Sequence, residues 1–406
     1  MQILTIKTYK YRCYPTKSQI SRLENHFSMC RHLYNWSLKD RIEHYQSTGK
    51  TLSYNKQQNA LPSMKVERPW YKNVHSQVLQ NVLIRLDEAY KAFFRRVKEG
   101  TEAPGFPKFK KRGNWSGITY PQHSKKPENS KIYVPSIGTI RLVYHREIPK
   151  DADVKTLSIV KEAGKWFVCF SAEVLVLLEP KLKPSSPVGI DMGLENFLYT
   201  SNGDQVDPPK YFRKREKQLK RLQRRLAKAK KRSPKYFRIL RAIQKCHYRI
   251  KCQRTDFLHK QANALLATSD IIFHEDLSIR NMIRRPKPKP DGNGGYLPNG
   301  AAAKSGINKS IADVGWHRFF EIMRYKADAL GKIFFPVPPE YTSQECNACH
   351  AIVKKSLSTR THFCHECGYI AHRDLNAAYN ILRVGMHTLQ RLLFLLLLEA
   401  PSMRSA

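Results

Sequence analysis

Acidic residues are what this 406-residue sequence most conspicuously lacks: 33 Asp and Glu stand against 72 Lys and Arg, a formal charge of +39. Solubility needs far less charge, so the imbalance argues against an ordinary metabolic enzyme and for a protein that sits on a polyanion, nucleic acid being the commonest. Long apolar runs are also missing. The longest, Leu392 to Leu398, has seven residues, against the ~20 that span a bilayer, so no membrane partner is expected and the run reads as an amphipathic or poorly ordered tail. No secretory pattern opens the chain, because Lys7, Lys10 and Arg12 have no apolar stretch behind them. A disulfide framework does not fit either. The nine cysteines are odd in number and four fall within 22 positions, which suggests metal ligation in a reducing compartment, the cytoplasm. Apolar material is plentiful, at 41% with 20 Tyr and 18 Phe, so the chain is no disordered basic tail and has the length of two or three domains.

The pattern along the chain separates several regions. Ile3, Thr5 and Lys7 alternate up to Pro15; Thr16 and Gln19 then form a capping box, and Ile20, Leu23, Phe27, Cys30, Tyr34, Leu38 and Ile42 predict one long amphipathic helix. A second helix is predicted from about His75 to Val97, closed by Pro104-Gly105-Phe106-Pro107-Lys108-Phe109. From Lys131 to Val176 the period becomes two, with Glu162-Ala163-Gly164-Lys165 as a hairpin turn. Pro180, Pro184 and Pro187 place a boundary near residue 185. Residues 210 to 260 then hold 21 Lys or Arg and only Glu216 and Asp256 as acids. Ser233-Pro234 divides them into a helical hairpin with one apolar seam and basic outer faces. Arg284 to Gly306, rich in Pro, Gly and Lys, reads as a flexible loop; helices follow near Trp316 to Leu330 and from about Leu375.

Two constellations carry chemistry. Cys346-Asn-Ala-Cys349, fourteen residues, then Cys364-His-Glu-Cys367 gives two knuckles, each bringing two thiolates to one ion, and together a closed tetrahedral Zn²⁺ site with a structural role. A redox dithiol needs only one knuckle. The second constellation is Asp191 in a strand, Glu275 after the strand Ile271 to Phe273, and Asp374 just before a helix. Carboxylates at adjacent strand ends and a helix start can converge on one or two Mg²⁺ or Mn²⁺ ions, the arrangement that activates water for phosphodiester hydrolysis. On spacing alone, Asp374 could equally be a helix N-cap and Glu275-Asp276 a turn.

Gly189-Ile-Asp-Met-Gly-Leu-Glu-Asn-Phe197 resembles the first RuvC motif of the TnpB (OrfB) family of transposon-encoded nucleases. Gln253-Arg-Thr-Asp-Phe-Leu-His-Lys260 and His274-Glu-Asp-Leu277 resemble its second motif region, Thr342 through Gly368 its zinc ribbon, and His372-Arg-Asp-Leu-Asn-Ala-Ala-Tyr-Asn-Ile381 its third motif. His372 departs from the acid usual there, and His350 from a frequent Gly after the first knuckle.

The resemblance implies a multidomain α+β and α/β protein. Residues 1–15 and 113–184 would form a β-barrel wedge domain, and 16–112 a helical recognition insertion. Residues 185–341 and 369–385 would be an RNase H-like RuvC nuclease, 342–368 the zinc ribbon, and 386–406 a C-terminal tail. It implies an RNA-guided DNA endonuclease with Asp191, Glu275 and Asp374 holding Mg²⁺ or Mn²⁺, and Cys346, Cys349, Cys364 and Cys367 holding Zn²⁺. The implied partners are a guide RNA transcribed from the transposon end and a double-stranded DNA target, in a monomeric ribonucleoprotein. Base pairing would read the target and the protein a short flanking motif. Arg221, Arg224, Arg225, Lys228, Lys231 and Arg254 are candidates for nucleic-acid contact, and Tyr54 and Gln80 for reading the flanking motif. Trp166, Phe167, Phe93 and Phe94 read as core. Two alternatives remain at this point: a nuclease-silent, RNA-guided protein acting by occupancy, and a transposition accessory protein.

Overall fold

A computed structural model describes residues 2–101, 103–177, 186–356 and 358–399. The chain divides into two compact units, Gln2–Leu177 and Leu178–Ala406, each with its own core. The boundary expected near 185 lies outside the described residues.

The first unit opens with strand β1 (Gln2–Tyr14) and the long helix α1 (Lys17–Thr48). The expected capping box is present: the Thr16 side chain accepts from the Gln19 backbone N–H, and the Gln19 side chain accepts from that of Thr16. Short helices α2 (Tyr54–Asn59) and α3 (Leu61–Glu67) and a 3₁₀ turn lead to α4 (Ser76–Lys98). α1 and α4 bury their apolar stripes against each other, with Leu23, Leu33, Leu38, Leu79, Leu83 and Leu86 fully enclosed.

Strands β2 (Gly117–Tyr120), β3 (Lys131–Val134), β4 (Gly138–Leu142), β5 (Asp153–Glu162) and β6 (Lys165–Leu177) join β1 in an antiparallel sheet of order β2-β5-β6-β1-β4-β3. β1 lies inside the sheet and pairs with β6 from Gln2↔Leu177 to Cys13↔Trp166. The predicted hairpin is β5–β6, with Glu162 opposite Lys165 and positive φ at Ala163 (50°) and Gly164 (78°), the backbone that a two-residue hairpin loop demands. The expected barrel is a curled half-barrel, whose edge strands β2 and β3 do not pair with each other.

The second unit is built on a mixed sheet. Its strands are β7 (Pro187–Asp191), β8 (Leu198–Thr200), β9 (Gln205–Val206), β10 (Ile271–Glu275) and β13 (Ile333–Val337). Their order is β13-β10-β7-β8-β9; β7, β10 and β13 run parallel, while β8 and β9 form an antiparallel edge. β7 and β10 are buried along most of their length, which is why both read as continuous apolar runs. Between β9 and β10 come α5 (Tyr211–Ala227) and α6 (Pro234–Thr268), the predicted basic hairpin, with Ser233 capping α6 and Pro234 in its first turn. Leu219, Cys246 and Ile250 make its seam.

The segment expected as a flexible loop is partly ordered. After α7 (Ile279–Met282), β11 (Lys289–Pro290) and β12 (Tyr296–Leu297) pair around Asp291, whose carboxylate accepts the N–H groups of Asn293 and Gly295. α8 (Ala301–Val314) then begins inside the predicted loop and leads to α9 (Trp316–Ala329). A hairpin of β14 (Thr361–Phe363) and β15 (Ile370–His372) runs directly into α10 (Arg373–Glu399). The tail boundary expected at 385/386 falls inside α10, which continues to Glu399; residues 400–406 lie outside the described residues. Among the described residues no helix is long and apolar enough to cross a membrane.

Candidate functional site

Asp191 ends β7 and Glu275 ends β10. The two strands are parallel, with Ile190 opposite His274, so the carboxylates emerge side by side at the same sheet end, roughly 5 Å apart at the backbone. Asp374, in the first turn of α10, arrives from outside the sheet, and Gly189 sets its approach. A Cβ at Gly189 would lie 2.2 Å from the Ala378 carbonyl oxygen and 2.6 Å from the Leu382 nitrogen, so only glycine lets the α10 backbone rest on β7. One turn of helix, about 6 Å, separates Ala378 from Asp374, and two strand residues, about 6.6 Å, separate Gly189 from Asp191. The two acids are thereby brought level. Gly189→Ala is expected to cost about 2 kcal/mol or more through overpacking and to depress any activity of the acid cluster more than stability alone explains; melting curves beside activity measured well below the melting temperature check this.

Asp191 feels the charge of both other acids. Burial first, then the charges of Glu275 and Asp374, push the Asp191 carboxyl well above its usual range, with Arg373 opposing. Burial raises Glu275 too, against a hydrogen bond donated by the Thr342 hydroxyl. Asn196 donates to Asp374 at 3.4 Å. A set of carboxylates such as these, with Asp191 disfavoured as an anion by both of the others, suits a hard divalent cation. Sequence reasoning did not single out Thr342 or Asn196, although both lie inside the quoted motifs. His372, where an acid was usual, stacks on Tyr199 (ring centroids 5.3 Å apart) and its Nδ1 accepts the Asp374 backbone N–H, so it caps the helix that carries Asp374.

The four predicted thiols converge: Cys346, Cys349, Cys364 and Cys367 have sulfurs all within 4.8 Å of one another, the one such group of metal-ligating side chains among the described residues. The Cys346–Cys367 and Cys349–Cys364 sulfurs are 3.7 and 3.5 Å apart, close to the ~3.8 Å edge of a tetrahedron with 2.3 Å Zn–S bonds. Each knuckle closes with a left-handed residue: His350 (φ 65°) donates its N–H to the Cys346 carbonyl, and Gly368 (φ 74°) to that of Cys364. His350 therefore occupies a backbone position that favours glycine, and its ring bonds Glu345 at 3.0 Å.

Two asparagines join this cluster to the acid site. Asn376 and Asn380, fully buried on α10, donate side-chain N–H groups to the Glu345 carbonyl at 2.7 and 2.8 Å; Asn380 also donates to the Thr342 carbonyl, and Asn376 accepts the Asn347 N–H. α10 thus fixes the first thiol knuckle and Asp374 on one rigid element. Paired asparagines four apart in an otherwise apolar helix face were the sequence signal for this.

The remaining candidates separate. Arg221, Arg224, Arg225, Lys228 and Lys231 are exposed, with no acid partner among the described residues. Arg254, expected on nucleic acid, is instead 3.0 Å from the buried Asp313, whose carboxylate also accepts the Phe212 and Arg213 N–H groups; it holds α6 to α8 and the start of α5. Gln80 lines an open recess of ≈ 340 Å³ with Gln58, Pro62 and Ser76, whereas Tyr54 packs against the first unit's core and does not line it.

The OrfB family model, described as a probable transposase, matches residues 156–285; a Cas12f1-like TNB domain model matches 316–381, and a helix-turn-helix model 1–50, although that segment folds as β1 and α1. InsQ of Escherichia coli (strain K12), by name a candidate RNA-guided DNA endonuclease, is 33% identical over 94% of this chain and 92% of its own. A Streptomyces pristinaespiralis protein with a corresponding name is 27% identical over 94% and 89%. In fold, the chain resembles Cas12f1 as solved with its single-guide RNA and target DNA, at TM-score 0.54, 13% identity and coverage of 93% and 99%. Collinear similarity to InsQ over nearly the whole of both chains, the OrfB match and a mixed α and β architecture shared with a Cas12 effector lead to one assignment: the chain belongs to the TnpB (OrfB) family.

Proposed function

We propose that this protein is an RNA-guided DNA endonuclease that hydrolyses phosphodiesters at Asp191, Glu275 and Asp374, in a RuvC-like domain of residues 185–341 and 369–385. The observation that carries the reading is geometric: Asp191 and Glu275 end adjacent parallel strands, and the contact of α10 with Gly189 brings Asp374 to the same end. Proteins do not retain such a cluster for stability. The three acids fit Mg²⁺ or Mn²⁺, which would supply Lewis-acid activation of the phosphate and an acidified water. The protein's own part is to hold the ligands: Thr342 orients Glu275, Asn196 steadies Asp374, and the contact of α10 with Gly189 sets the spacing.

The four sulfurs fit Zn²⁺ and leave no coordination position for a substrate, so residues 342–368 act as a structural ribbon. Residues 1–15 and 113–184 form the wedge and 16–112 the recognition insertion. The exposed cations of α5 and the α5–α6 loop neutralise phosphates, and Gln80 contributes to reading the flanking motif. The partners are a guide RNA from the transposon end and double-stranded DNA, bound by a single copy of the chain.

The test is to sequence the RNA that copurifies, rebuild the particle on it, and supply a plasmid library with a matched target beside randomised flanks. Cutting that EDTA abolishes and Mg²⁺ or Mn²⁺ restores is expected. Tight, guide-dependent binding that never yields product with either metal would overturn the nuclease reading in favour of occupancy.

A further inference from the structure

The first unit carries an aromatic surface that no role so far absorbs. Phe93 and Phe94 were expected in the core, yet Phe94 is 51% exposed, and Phe106 and Phe109 are 44% and 53% exposed. None of the four belongs to the core cluster, which Tyr90 touches only at its edge. Three of the rings cluster with Tyr90: Phe106 meets Tyr90 and Phe93 edge-on at 5.5 and 5.3 Å, and Phe94 lies 5.2 Å from Phe93; Phe109 follows three residues after Phe106.

Exposed phenylalanines on a loose loop would fold back onto the nearest apolar surface. Here the backbone prevents it. Arg96 donates to the Gly105 carbonyl at 3.1 Å, Asn35 of α1 exchanges two hydrogen bonds with the backbone of Lys110 at 2.7 and 3.0 Å, and Pro107 between them is buried. The segment is pinned on both sides of Phe106 and close behind Phe109, so the rings are presented outward without an ordering cost on binding.

The rim decides the partner. Residues 91–112 hold eight Lys or Arg against Glu99 and Glu102, and Lys98, Lys108, Lys111 and Arg112 are exposed. An apolar protein surface would find no match in that rim, and a lipid surface would need a larger continuous apolar face. Flat rings with exposed cations beside them in sequence fit unpaired bases, whose faces stack on the rings while their phosphates meet the ammonium and guanidinium groups. We propose that Phe94, Phe106 and Phe109 form a stacking platform for an unpaired stretch of RNA. The platform lies in the unit that contains none of the three acids. The choice of RNA rests on the guided-nuclease reading; the stacking surface does not.

The test uses the full-length protein, stripped of RNA at high salt, and a fluorescent twelve-nucleotide oligo(U), with oligo(dT) alongside. Phe94→Ala/Phe106→Ala is expected to weaken oligo(U) binding roughly tenfold with an unchanged slope against salt, because stacking is lost and no counterion contact is. Lys108→Ala/Lys111→Ala should weaken binding and flatten the slope. Phe94→Leu/Phe106→Leu keeps apolar bulk without a ring face and should behave as the alanine variant does. Wild-type affinity in the alanine variant, full binding by the leucine variant, or a loss confined to oligo(dT) would each overturn the proposal. Since these side chains are exposed, melting temperatures should match wild type, and a variant that melts early is replaced by Phe109→Ala. Guided plasmid cutting by the wild-type particle is scored separately, so failure of the platform and failure of the nuclease reading are told apart.

Discussion

Asp191→Asn should abolish cleavage and at the same time raise the melting temperature of the metal-free protein. Burial and the neighbouring charges of Glu275 and Asp374 raise the Asp191 pKa in the folded state. A group of this kind contributes its full stability below its unfolded pKa, near 4, and the contribution is lost as pH rises through the raised folded value. At neutral pH the wild type therefore folds against an ionised, poorly solvated carboxylate, or must carry a proton there. Asparagine removes that penalty while keeping the shape, with an expected gain of about 1 kcal/mol, or about 2–4 °C. Its cleavage should fall by about a thousandfold or more, the loss of several kcal/mol of metal-assisted stabilisation. Melting curves across pH 5 to 8 read the effect directly: the wild type should lose stability as pH rises relative to the variant, and Mg²⁺ should close the gap by binding only the wild type. A variant that melts below wild type at neutral pH without metal would contradict the charge crowding on which the active-site assignment depends.

Cys364→Ser and Asp374→Ala should both stop cutting, by separable routes. The sulfur cluster is closed by four thiols and approached by no carboxylate in that group, so losing one thiolate should release zinc and several kcal/mol of folding energy, roughly 10 °C or more in melting temperature. The loss reaches catalysis because Asn376 and Asn380 tie the first knuckle to α10, and β15 runs from the second knuckle straight into it. Asp374→Ala removes only a carboxylate and leaves the bonds of Asn376 and Asn380 to the first knuckle in place, so it should retain zinc, melting temperature, and guide and target binding. Zinc content and a melting curve on each variant decide the matter. If Asp374→Ala loses zinc, or Cys364→Ser keeps both zinc and stability, the two metals do not divide their work in this way.

How much of this could be read beforehand depended on whether the signal was local. The capping box at Thr16, the Ala163-Gly164 turn, the Ser233-Pro234 break and the two thiol knuckles are set by a few adjacent residues, and the structure has each of them. What the sequence did not show was fixed by partners far away in it. Arg254 looked like any exposed cation until Asp313, 59 residues on, claimed it. The Pro-, Gly- and Lys-rich stretch hid α8, whose Ile311 and Val314 are buried by helices from elsewhere in the unit. Phe94 looked like core because its neighbours on α4 are core; only the clamped segment beyond Gly105 explains why it stays outside. Of the site, the three acids were visible through the motifs that surround them and not through their spacing. Their meeting depended on Gly189, whose missing side chain becomes meaningful only when α10 is seen resting on it.

The interior position of β1 has a consequence for how this protein is made. The strand leaves the ribosome long before its partner along its whole length, β6: Gln2 pairs with Leu177. At about 5–20 residues per second, roughly 10–35 s pass between synthesis of the two. During that interval β1 has only β4 to dock against, at Cys13 and Tyr14, while α1 and α4, whose contacts are closer in sequence, can already associate. A thirteen-residue strand with both edges open is a template for pairing with the wrong chain. Lys7, Lys10 and Arg12 along it keep nascent copies apart by charge, so the basic character suited to a polyanion also serves as a gatekeeper against aggregation before any nucleic acid is bound.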